Sequence, residues 1–129
     1  MPITRLSLPE ATSNAQAQAL VEAVQRAFVA TCDVPAEDLF FQIVRFAPED
    51  RVLHPTYGGV ERSSGVVIVE ITFLQGRDDD RKRALFREIA RGATACGLRS
   101  DDILIYLQEN GPIDWSLGRG EAFLDVKAG

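Results

Sequence analysis

The sequence contains an internal repeat, and this repeat restricts the fold more than any other feature. Apolar residues of the first half recur 65 positions later: Leu6, Leu8, Leu20, Val21 and Val24 are matched by Ile71, Phe73, Leu85, Phe86 and Ile89. After a one-residue deletion the spacing is 64, and Cys32, Asp38, Leu39, Phe41 and Ile43 are matched by Cys96, Asp102, Ile103, Ile105 and Leu107. The 129 residues therefore predict a single domain over 1–129, with repeat halves at about 2–46 and 66–110.

The first half has the pattern of a strand, a helix and a second strand. The segment "ITRLSL" at residues 3–8 indicates a strand, and Ser13 with Gln16 resembles a capping box that begins a helix. We expect this helix to run to about Ala30 and "DVPAED" to break it. The segment "LFFQIVRF" at residues 39–46 then predicts the second strand.

The second half repeats this pattern after a loop and hairpin segment, "APEDRVLHPTYGGVERSSG". The continuous apolar run "VVIVEITFL" predicts a strand, Asp78 is suited to cap a helix, and "ILIYLQEN" predicts the last main strand. Leu85, Phe86 and Ile89 are expected to form the buried face of this helix. The predicted fold is therefore an α+β, two-layer α/β fold: two tandem β-α-β units form a four-stranded sheet with both helices on one face, plus short hairpin strands.

The face of the sheet away from the helices needs a cover that one chain does not supply. The strands "VVIVEITFL" and "LFFQIVRF" are apolar on both faces, and the sequence predicts no third helix. Because exposed apolar surface is costly, we expect the sheet to pack against other copies of the chain. The sequence thus predicts a homo-oligomer.

Composition and net charge limit the classes of molecule that the protein could bind. The formal charge is -5, and the Lys and Arg residues alternate with acids, which argues against nucleic acid and acidic membranes. The sequence has neither the apolar run of a signal peptide nor the roughly 18-residue run of a membrane span, so we expect a cytoplasmic protein. Cys32 and Cys96 lack metal-ligand spacing and are expected to be free thiols in the core.

Pro2 is the first candidate for chemistry. Proline after an initiator methionine permits removal of Met1, which would leave a secondary amine at the start of an apolar strand. A neutral amine could abstract a proton next to a carbonyl or form an iminium with an aldehyde, whereas a protonated amine could polarise a carbonyl. The alternative is a proline that only begins the strand.

Several motifs together resemble the tautomerase superfamily, and within it the branch of malonate semialdehyde decarboxylase. They are Pro2, "VPAEDLFFQIV" with Asp38, "HPTYGGVERS", Gly76 and Arg77 followed by a helix with Lys82, and "ENGPIDWSLGRGEA" with Trp115. The likeness covers nearly the whole chain. It implies two β-α-β units per subunit, a homotrimer, and an amino-terminal proline in the active-site pocket.

Arg77 is the candidate that would hold a substrate carboxylate. It lies between the end of a central strand and a helix, where its guanidinium could meet a carboxylate beside free backbone amides. Ion pairing with Asp78, Asp79 or Asp80 is the alternative. The family's characterised decarboxylase is associated with a pair of arginines in this segment, whereas this chain has Leu74 and Gln75 where a second one would stand.

Asp38 matches the family's acidic residue near the proline. A carboxylate there could hold Pro2 in its cationic form or activate a water molecule. Its repeat counterpart, Asp102, lies at the same kind of helix-strand junction, so a structural role in the turn is the alternative.

The segment after the last strand supplies candidate pocket walls. The resemblance implies that Trp115 is an aromatic wall that keeps the pocket dry, with core packing as the alternative. Leu117 stands where the family often has phenylalanine and is expected to contact the substrate. Arg119 is a weaker candidate for a second cation. His54 and Tyr57, in the "HPTYGG" loop, are expected to be structural.

The predicted function is decarboxylation of a short 3-oxo acid such as malonate semialdehyde, giving acetaldehyde and carbon dioxide. Pro2, Asp38 and Arg77 are the expected catalytic residues, with Arg77, Trp115 and Leu117 binding the substrate, and no metal or organic cofactor is expected. Tautomerase and hydratase activities could accompany this reaction. One alternative is a keto-enol tautomerase of the phenylpyruvate type, and another is a binding module without catalysis. Retention of Met1 would favour the module, because Pro2 would then be an amide.

Overall fold

A computed structural model describes residues 1–126 as one mixed sheet with two helices on one face. The elements in chain order are β1 (Ile3–Pro9), α1 (Asn14–Cys32), β2 (Phe41–Phe46), β3 (Val67–Leu74), α2 (Asp79–Ala95) and β4 (Ile103–Asn110). The strand order is β2-β1-β3-β4. β1 is parallel to β2, β3 is parallel to β4, and the two central strands β1 and β3 are antiparallel. The two predicted β-α-β units are confirmed and lie side by side, running in opposite directions.

Both helices begin at the predicted caps. Ser13 Oγ accepts a hydrogen bond from the Gln16 amide at 3.0 Å, and Asp78 Oδ1 accepts one from the Arg81 amide at 2.8 Å. These side chains satisfy amides that lack partners in the first helical turn, which fixes where each helix starts. Gly76 precedes the second cap with φ of +129°, a conformation that favours glycine and turns the chain sharply out of β3.

The core lies between the helices and one face of the sheet. Its fully buried side chains come from β1, β3 and both helices: Leu6, Leu8, Leu20, Val24, Phe28, Val69, Ile71, Phe73, Leu85 and Ile89. Close helix packing is possible because Gly92 has no side chain; a Cβ at this position would lie 2.9 Å from the Ala23 Cβ. Cys32 is buried and Cys96 half-buried, and both are free thiols.

The opposite face of the sheet is not covered by either helix. It carries Arg5, whose guanidinium lies 3.8 Å from the Glu70 carboxylate, together with half-buried Ile68 and Leu104. On the same face, Ile3 is 38% exposed and Tyr106 is 40% exposed. The face therefore mixes apolar side chains with a charged pair.

Three details differ from the sequence-based expectation. Residues 47–65 contain no strand, because this segment, with two prolines and three glycines, forms two short 3-10 helices, Pro48–Asp50 and Tyr57–Gly59. The short hairpin pairing is instead a single antiparallel bridge between Ser116 and Ala122. Phe86 was expected in the core but is 36% exposed, since α2 buries Leu85, Ile89 and Ala93. No helix within the described residues 1–126 is long and apolar enough to cross a membrane.

Asp102 holds the 47–65 loop against the second β-α-β unit through hydrogen bonds. Its carboxylate accepts hydrogen bonds from the Ser63 amide at 2.8 Å and the Ser63 hydroxyl at 2.6 Å, and Arg99 lies 3.4 Å away. Burial alone would raise the pKa of Asp102, but the Ser63 hydrogen bonds and the Arg99 charge hold it below its ordinary value. The ionised carboxylate is therefore a structural tie between β4 and the loop before β3.

We expect Asp102→Asn to lower the free energy of unfolding at pH 7 by about 1–3 kcal/mol, because a hydrogen-bonded charge is lost. Since the folded pKa is lowered, this stabilisation is complete above the unfolded pKa of about 4 and is lost as the pH falls through the folded value. Urea unfolding at pH 7 and below pH 4 measures both effects. Asp101→Asn, at an exposed neighbour, is the control and should change little; an equal loss in both variants would contradict the assignment.

Candidate active site

The chain begins at one end of the two central strands. Pro2 is buried directly before β1, and Ile3 pairs with Thr72 near the end of β3. Met1 is half-buried and lines a small cleft of about 30 Å³ together with Leu74 and two aromatic residues, Trp115 and Phe123. The antiparallel pairing of β1 and β3 thus places the amino terminus beside the turn that leads into α2.

Arg77 lies in that turn, and it is held by backbone carbonyls and an aromatic ring. Its Nη1 donates to the Leu74 carbonyl at 2.9 Å and its Nη2 to the Cys32 carbonyl at 3.5 Å. The guanidinium carbon lies 4.6 Å from the centre of the Phe73 ring. Within residues 1–126 Arg77 forms no ion pair, and its buried Nε–H has no acceptor.

The predicted alternative, in which the following aspartates hold Arg77, is therefore not found. Asp78 caps α2 and Asp80 pairs with Arg83. A guanidinium has five N–H donors, and the two carbonyls use only two of them. Arg77 is thus a positioned cation that retains hydrogen-bonding capacity and lacks an acidic partner among the described residues.

Asp38 lies close enough to influence the chain terminus. Its side chain is half-buried, and among residues 1–126 its carboxylate accepts no hydrogen bond. The turn around it is held instead by Gln25, whose Nε2 donates to the backbone carbonyls of Pro35, Ala36 and Asp38 at 3.2–3.3 Å. Asp38 and its repeat counterpart Asp102 therefore differ: the carboxylate of Asp102 is fully engaged, whereas that of Asp38 takes no part in holding its turn.

The terminal amine experiences both charges. Burial and the positive charge of Arg77 lower the pKa of the Met1 amine below its ordinary value, while the negative charge of Asp38 acts in the opposite direction. Three of the predicted site residues, Pro2, Arg77 and Asp38, are thus brought into one electrostatic neighbourhood. The net effect of burial and the two charges on the Met1 amine is a lowered pKa.

Trp115 forms the wall of the cleft, and its neighbours fix its orientation. The indole Nε1 donates to Asn110 Oδ1 at 2.6 Å, and the Trp115 carbonyl accepts from the Phe123 amide at 2.8 Å. Trp115 is only 9% exposed, although it lies outside the main core cluster. The sequence analysis assigned no site role to Asn110 or Phe73, although they lie in the quoted "ENGPIDWSLGRGEA" motif and in the repeat, and it did not identify Phe123.

The remaining candidates lie further from the amine. Leu117 is 56% exposed and lines a separate cleft of about 320 Å³ with Arg119; Phe123 lines both clefts. Arg119 pairs with Glu121 at 3.4 Å. His54 and Tyr57 contact each other edge to face in the 47–65 loop, with ring centres 6.1 Å apart. Residues 1–126 contain no group of three or more His, Cys, Asp or Glu side chains arranged to hold a metal ion.

Comparisons with known proteins show what the chain is similar to. A family model described as tautomerase enzyme matches residues 40–118. Two proteins of Bacillus subtilis (strain 168) are similar over nearly their whole length: probable tautomerase YusQ is 31% identical, covering 95% of this chain and 97% of that protein, and probable tautomerase YrdN is 32% identical, covering 95% of each.

Solved structures show the same fold. The FG41 malonate semialdehyde decarboxylase inhibited by 3-bromopropiolate is 32% identical, with a TM-score of 0.86 over 93% of this chain and 92% of that one. A malonate semialdehyde decarboxylase studied for its decarboxylase and hydratase activities is 31% identical, with a TM-score of 0.86 over 95% of each chain. A fused 4-OT symmetric trimer shares the fold at 19% identity, with a TM-score of 0.77 over 95% and 96% of the chains.

Proposed function

This chain belongs to the tautomerase superfamily, in the branch that resembles malonate semialdehyde decarboxylase, and from that premise we propose that it decarboxylates a short 3-oxo acid. Family membership makes it an enzyme of the lyase or isomerase type. The observation that carries the finer proposal is the position of Arg77, a cation without an acidic partner in residues 1–126, beside the half-buried chain terminus and an apolar cleft.

Removal of Met1 would prepare the site in two ways. It would convert the Pro2 nitrogen from an amide into a secondary amine, and it would take the Met1 side chain out of the cleft that it lines with Leu74, Trp115 and Phe123. The cleft of about 30 Å³ has room for roughly one water molecule, so a substrate of several atoms needs this additional space. Both changes favour catalysis only in the processed chain.

Arg77 would bind the substrate carboxylate and orient it. A guanidinium forms charge-assisted hydrogen bonds with a carboxylate, and its stacking on Phe73 restricts how it can turn. Trp115 would exclude water from the reacting carbon. Leu117, which lines the neighbouring cleft, would contact a substrate that extends past Phe123, the residue that lines both clefts. One arginine accounts for one carboxylate, which fits a monocarboxylic oxo acid.

A neutral Pro2 amine provides a balanced route for the reaction. The nitrogen attacks the aldehyde carbon, and loss of water gives an iminium, with Asp38 carrying the protons. The bond between the carboxylate carbon and its neighbour then breaks, its electron pair moves toward the iminium nitrogen, and carbon dioxide leaves. The resulting enamine takes a proton on carbon, and water releases acetaldehyde and regenerates the amine. No external oxidant or reductant is needed.

A keto-enol tautomerase is the second candidate, because a neutral terminal amine is also a general base that can move a proton next to a carbonyl. Burial and Arg77 lower the pKa of the Met1 amine, and the same surroundings would act on a Pro2 amine once Met1 is removed. The relatives YusQ and YrdN are described as probable tautomerases. The same residues would act, but Pro2 would exchange a proton rather than form a bond to carbon.

We also propose that the enzyme works as a homotrimer. The sheet face that carries Arg5, Ile68 and Leu104 is free of helices in the described chain, and self-association would cover it. Fused 4-OT, which shares the fold, forms trimers. Partner subunits would then complete the walls of the site.

Borohydride trapping distinguishes the two reactions. Protein whose mass shows that Met1 is absent is incubated with malonate semialdehyde and sodium borohydride, and peptide mass mapping follows. Acetaldehyde release together with a reduced adduct on Pro2 would support the iminium decarboxylase. Acetaldehyde without an adduct would contradict the iminium route. Turnover of phenylpyruvate enol by the same protein, with no acetaldehyde from malonate semialdehyde, would establish the tautomerase instead. Neither activity in protein that lacks Met1 would favour the binding module.

A further inference from the structure

The internal repeat extends past the last strand of each unit. The segment "APEDRVL" at residues 47–53 matches "GPIDWSL" at residues 111–117 with a spacing of 64, and Pro, Asp and Leu are identical in both. Each segment begins with a 3-10 helix, at Pro48–Asp50 and Pro112–Asp114, and then continues in an extended conformation. Arg51 therefore occupies, in the first copy, the position that Trp115 occupies in the second.

This correspondence marks a second cleft as the structural counterpart of the candidate active site. The cleft has a volume of about 420 Å³ and lies where β1 and β2 end, between Pro9, Phe46 and the 47–65 loop. Arg51 lines it, as do the side chains of Leu53, Ser64 and Glu10. It is far larger than the cleft beside Met1, and the chain terminus does not line it.

Arg51 has the same kind of surroundings as Arg77. Its Nη2 donates to the Val66 carbonyl at 2.9 Å and its Nη1 lies 3.4 Å from the Ser7 carbonyl. Its guanidinium carbon lies 5.6 Å from the centre of the Phe46 ring, as that of Arg77 lies over Phe73. Like Arg77, Arg51 forms no ion pair within residues 1–126.

Desolvation gives this cation a preference for an anionic partner. Burial lowers the pKa of Arg51, so the charged group has lost part of its hydration without gaining a carboxylate. Two of its five N–H donors point to backbone carbonyls and the others remain available. An anion in the cleft would restore the interactions that water gives to an exposed guanidinium.

We propose that the Arg51 cleft is a second binding site that takes a small monocarboxylate. Arg51 supplies the charge-assisted hydrogen bonds, and Phe46 and Leu53 provide apolar contacts for a chain of a few carbons. Glu10, at the exposed rim, opposes binding and disfavours ligands with more than one negative charge. The site is separate from the proposed catalytic pocket, and it would hold an acid without transforming it.

The second cleft lacks working counterparts of Pro2 and Asp38, which the proposed reaction would need. The repeat counterpart of Pro2 is Val67, whose nitrogen is an amide within the chain and cannot act as an amine. The counterpart of Asp38 is Asp102, whose carboxylate is engaged by Ser63 and Arg99. The cleft therefore retains a cation over an aromatic ring but has no terminal amine, and its acid without a partner in residues 1–126, Glu10, lies at the exposed rim.

The test follows the Nε–Hε NMR signals of the arginines while sodium pyruvate is added to the intact protein at constant ionic strength, with sodium chloride as the control salt. We expect the Arg51 signal to shift and saturate, independently of the Arg77 signal. An Arg51 signal that does not move, or that moves equally with chloride, would overturn the proposal. If the proposed catalytic function alone were wrong, the Arg77 signal would stay fixed while that of Arg51 still shifted.

Two substitutions change the affinity in opposite directions. Arg51→Gln should abolish saturable binding at this cleft. Glu10→Gln should tighten it by about threefold, because an opposing exposed charge is removed; Glu22→Gln, an equal charge change on α1, should leave it unchanged. Since Glu10 makes no side-chain contact that holds the fold in residues 1–126, its variant remains informative even if Arg51→Gln unfolds. Equal behaviour of the Glu10 and Glu22 variants would contradict the site.

Discussion

Replacing Arg77 with alanine is expected to lower kcat/KM for malonate semialdehyde by about 100-fold. A hydrogen bond to a charged group contributes about 1.5–3 kcal/mol, which corresponds to a loss of roughly one to two powers of ten. Most of the loss should appear in KM if Arg77 only binds the carboxylate, and in kcat as well if it also orients that carboxylate for cleavage. Steady-state acetaldehyde release measures both constants.

Two further variants separate this role from stability. Arg77→Lys keeps the charge but loses the planar fork, so its activity should lie between those of the parent and the alanine variant. Arg83→Ala removes an exposed arginine of α2 whose ion-pair partner within residues 1–126 is Asp80, and it should retain full activity. Thermal unfolding measures any loss of stability that results from the missing hydrogen bonds to the Leu74 and Cys32 carbonyls. Full activity in a folded Arg77→Ala protein would remove Arg77 from the mechanism.

Inserting one alanine between Met1 and Pro2 is expected to reduce the activity by at least about 1000-fold. After removal of Met1 the chain would begin with the inserted alanine, and the Pro2 nitrogen would be an amide that can neither ionise nor attack a carbonyl. Positioned acid-base groups alone contribute about 100- to 10,000-fold, and the covalent step would be lost as well. Activity assays on protein of verified mass provide the measurement.

Pro2→Ala is the matched control for this insertion. It keeps an amine at the original position but makes it primary, so we expect a smaller loss than the insertion causes. Both variants leave Arg77 and Trp115 in place, and arginine NMR signals should show an intact carboxylate site. If the inserted protein kept parental activity, catalysis would not depend on the Pro2 nitrogen, and the decarboxylase and tautomerase proposals would both fail.

The repeat made the fold readable from the sequence. Because the same apolar spacing occurs twice, each half supports the interpretation of the other, and the caps at Ser13 and Asp78 fix where the helices begin. The sequence could not determine the conformation of residues 47–65, because this segment has turn-forming residues and no strand pattern. It also placed Phe86 in the core, since an apolar residue at the margin of a helical face has the same periodic signal as one at its centre.

The candidate site was predictable only in part. Pro2 and Arg77 are distant in sequence, and they lie at the same end of the sheet because β1 and β3 are antiparallel. The resemblance implied a pocket around Pro2, but the sequence pattern did not specify this strand pairing. The unequal roles of Asp38 and Asp102 depend on tertiary hydrogen bonds that a repeat at equal spacing conceals. Asn110 orients Trp115 through a contact that only the folded turn creates.

The fusion of two like units in one chain limits how they can diverge. A covalent fusion has a single amino terminus, so only the unit that begins the chain can present a terminal amine, whatever substitutions the other unit accumulates. The residues around Val67 and Arg51 therefore cannot form a second amine site, and their constraints are packing and the ligand proposed for Arg51. A tandem repeat within one chain can thus give its two clefts different tasks: the first would use the terminal nitrogen, and the second is open to a different specificity.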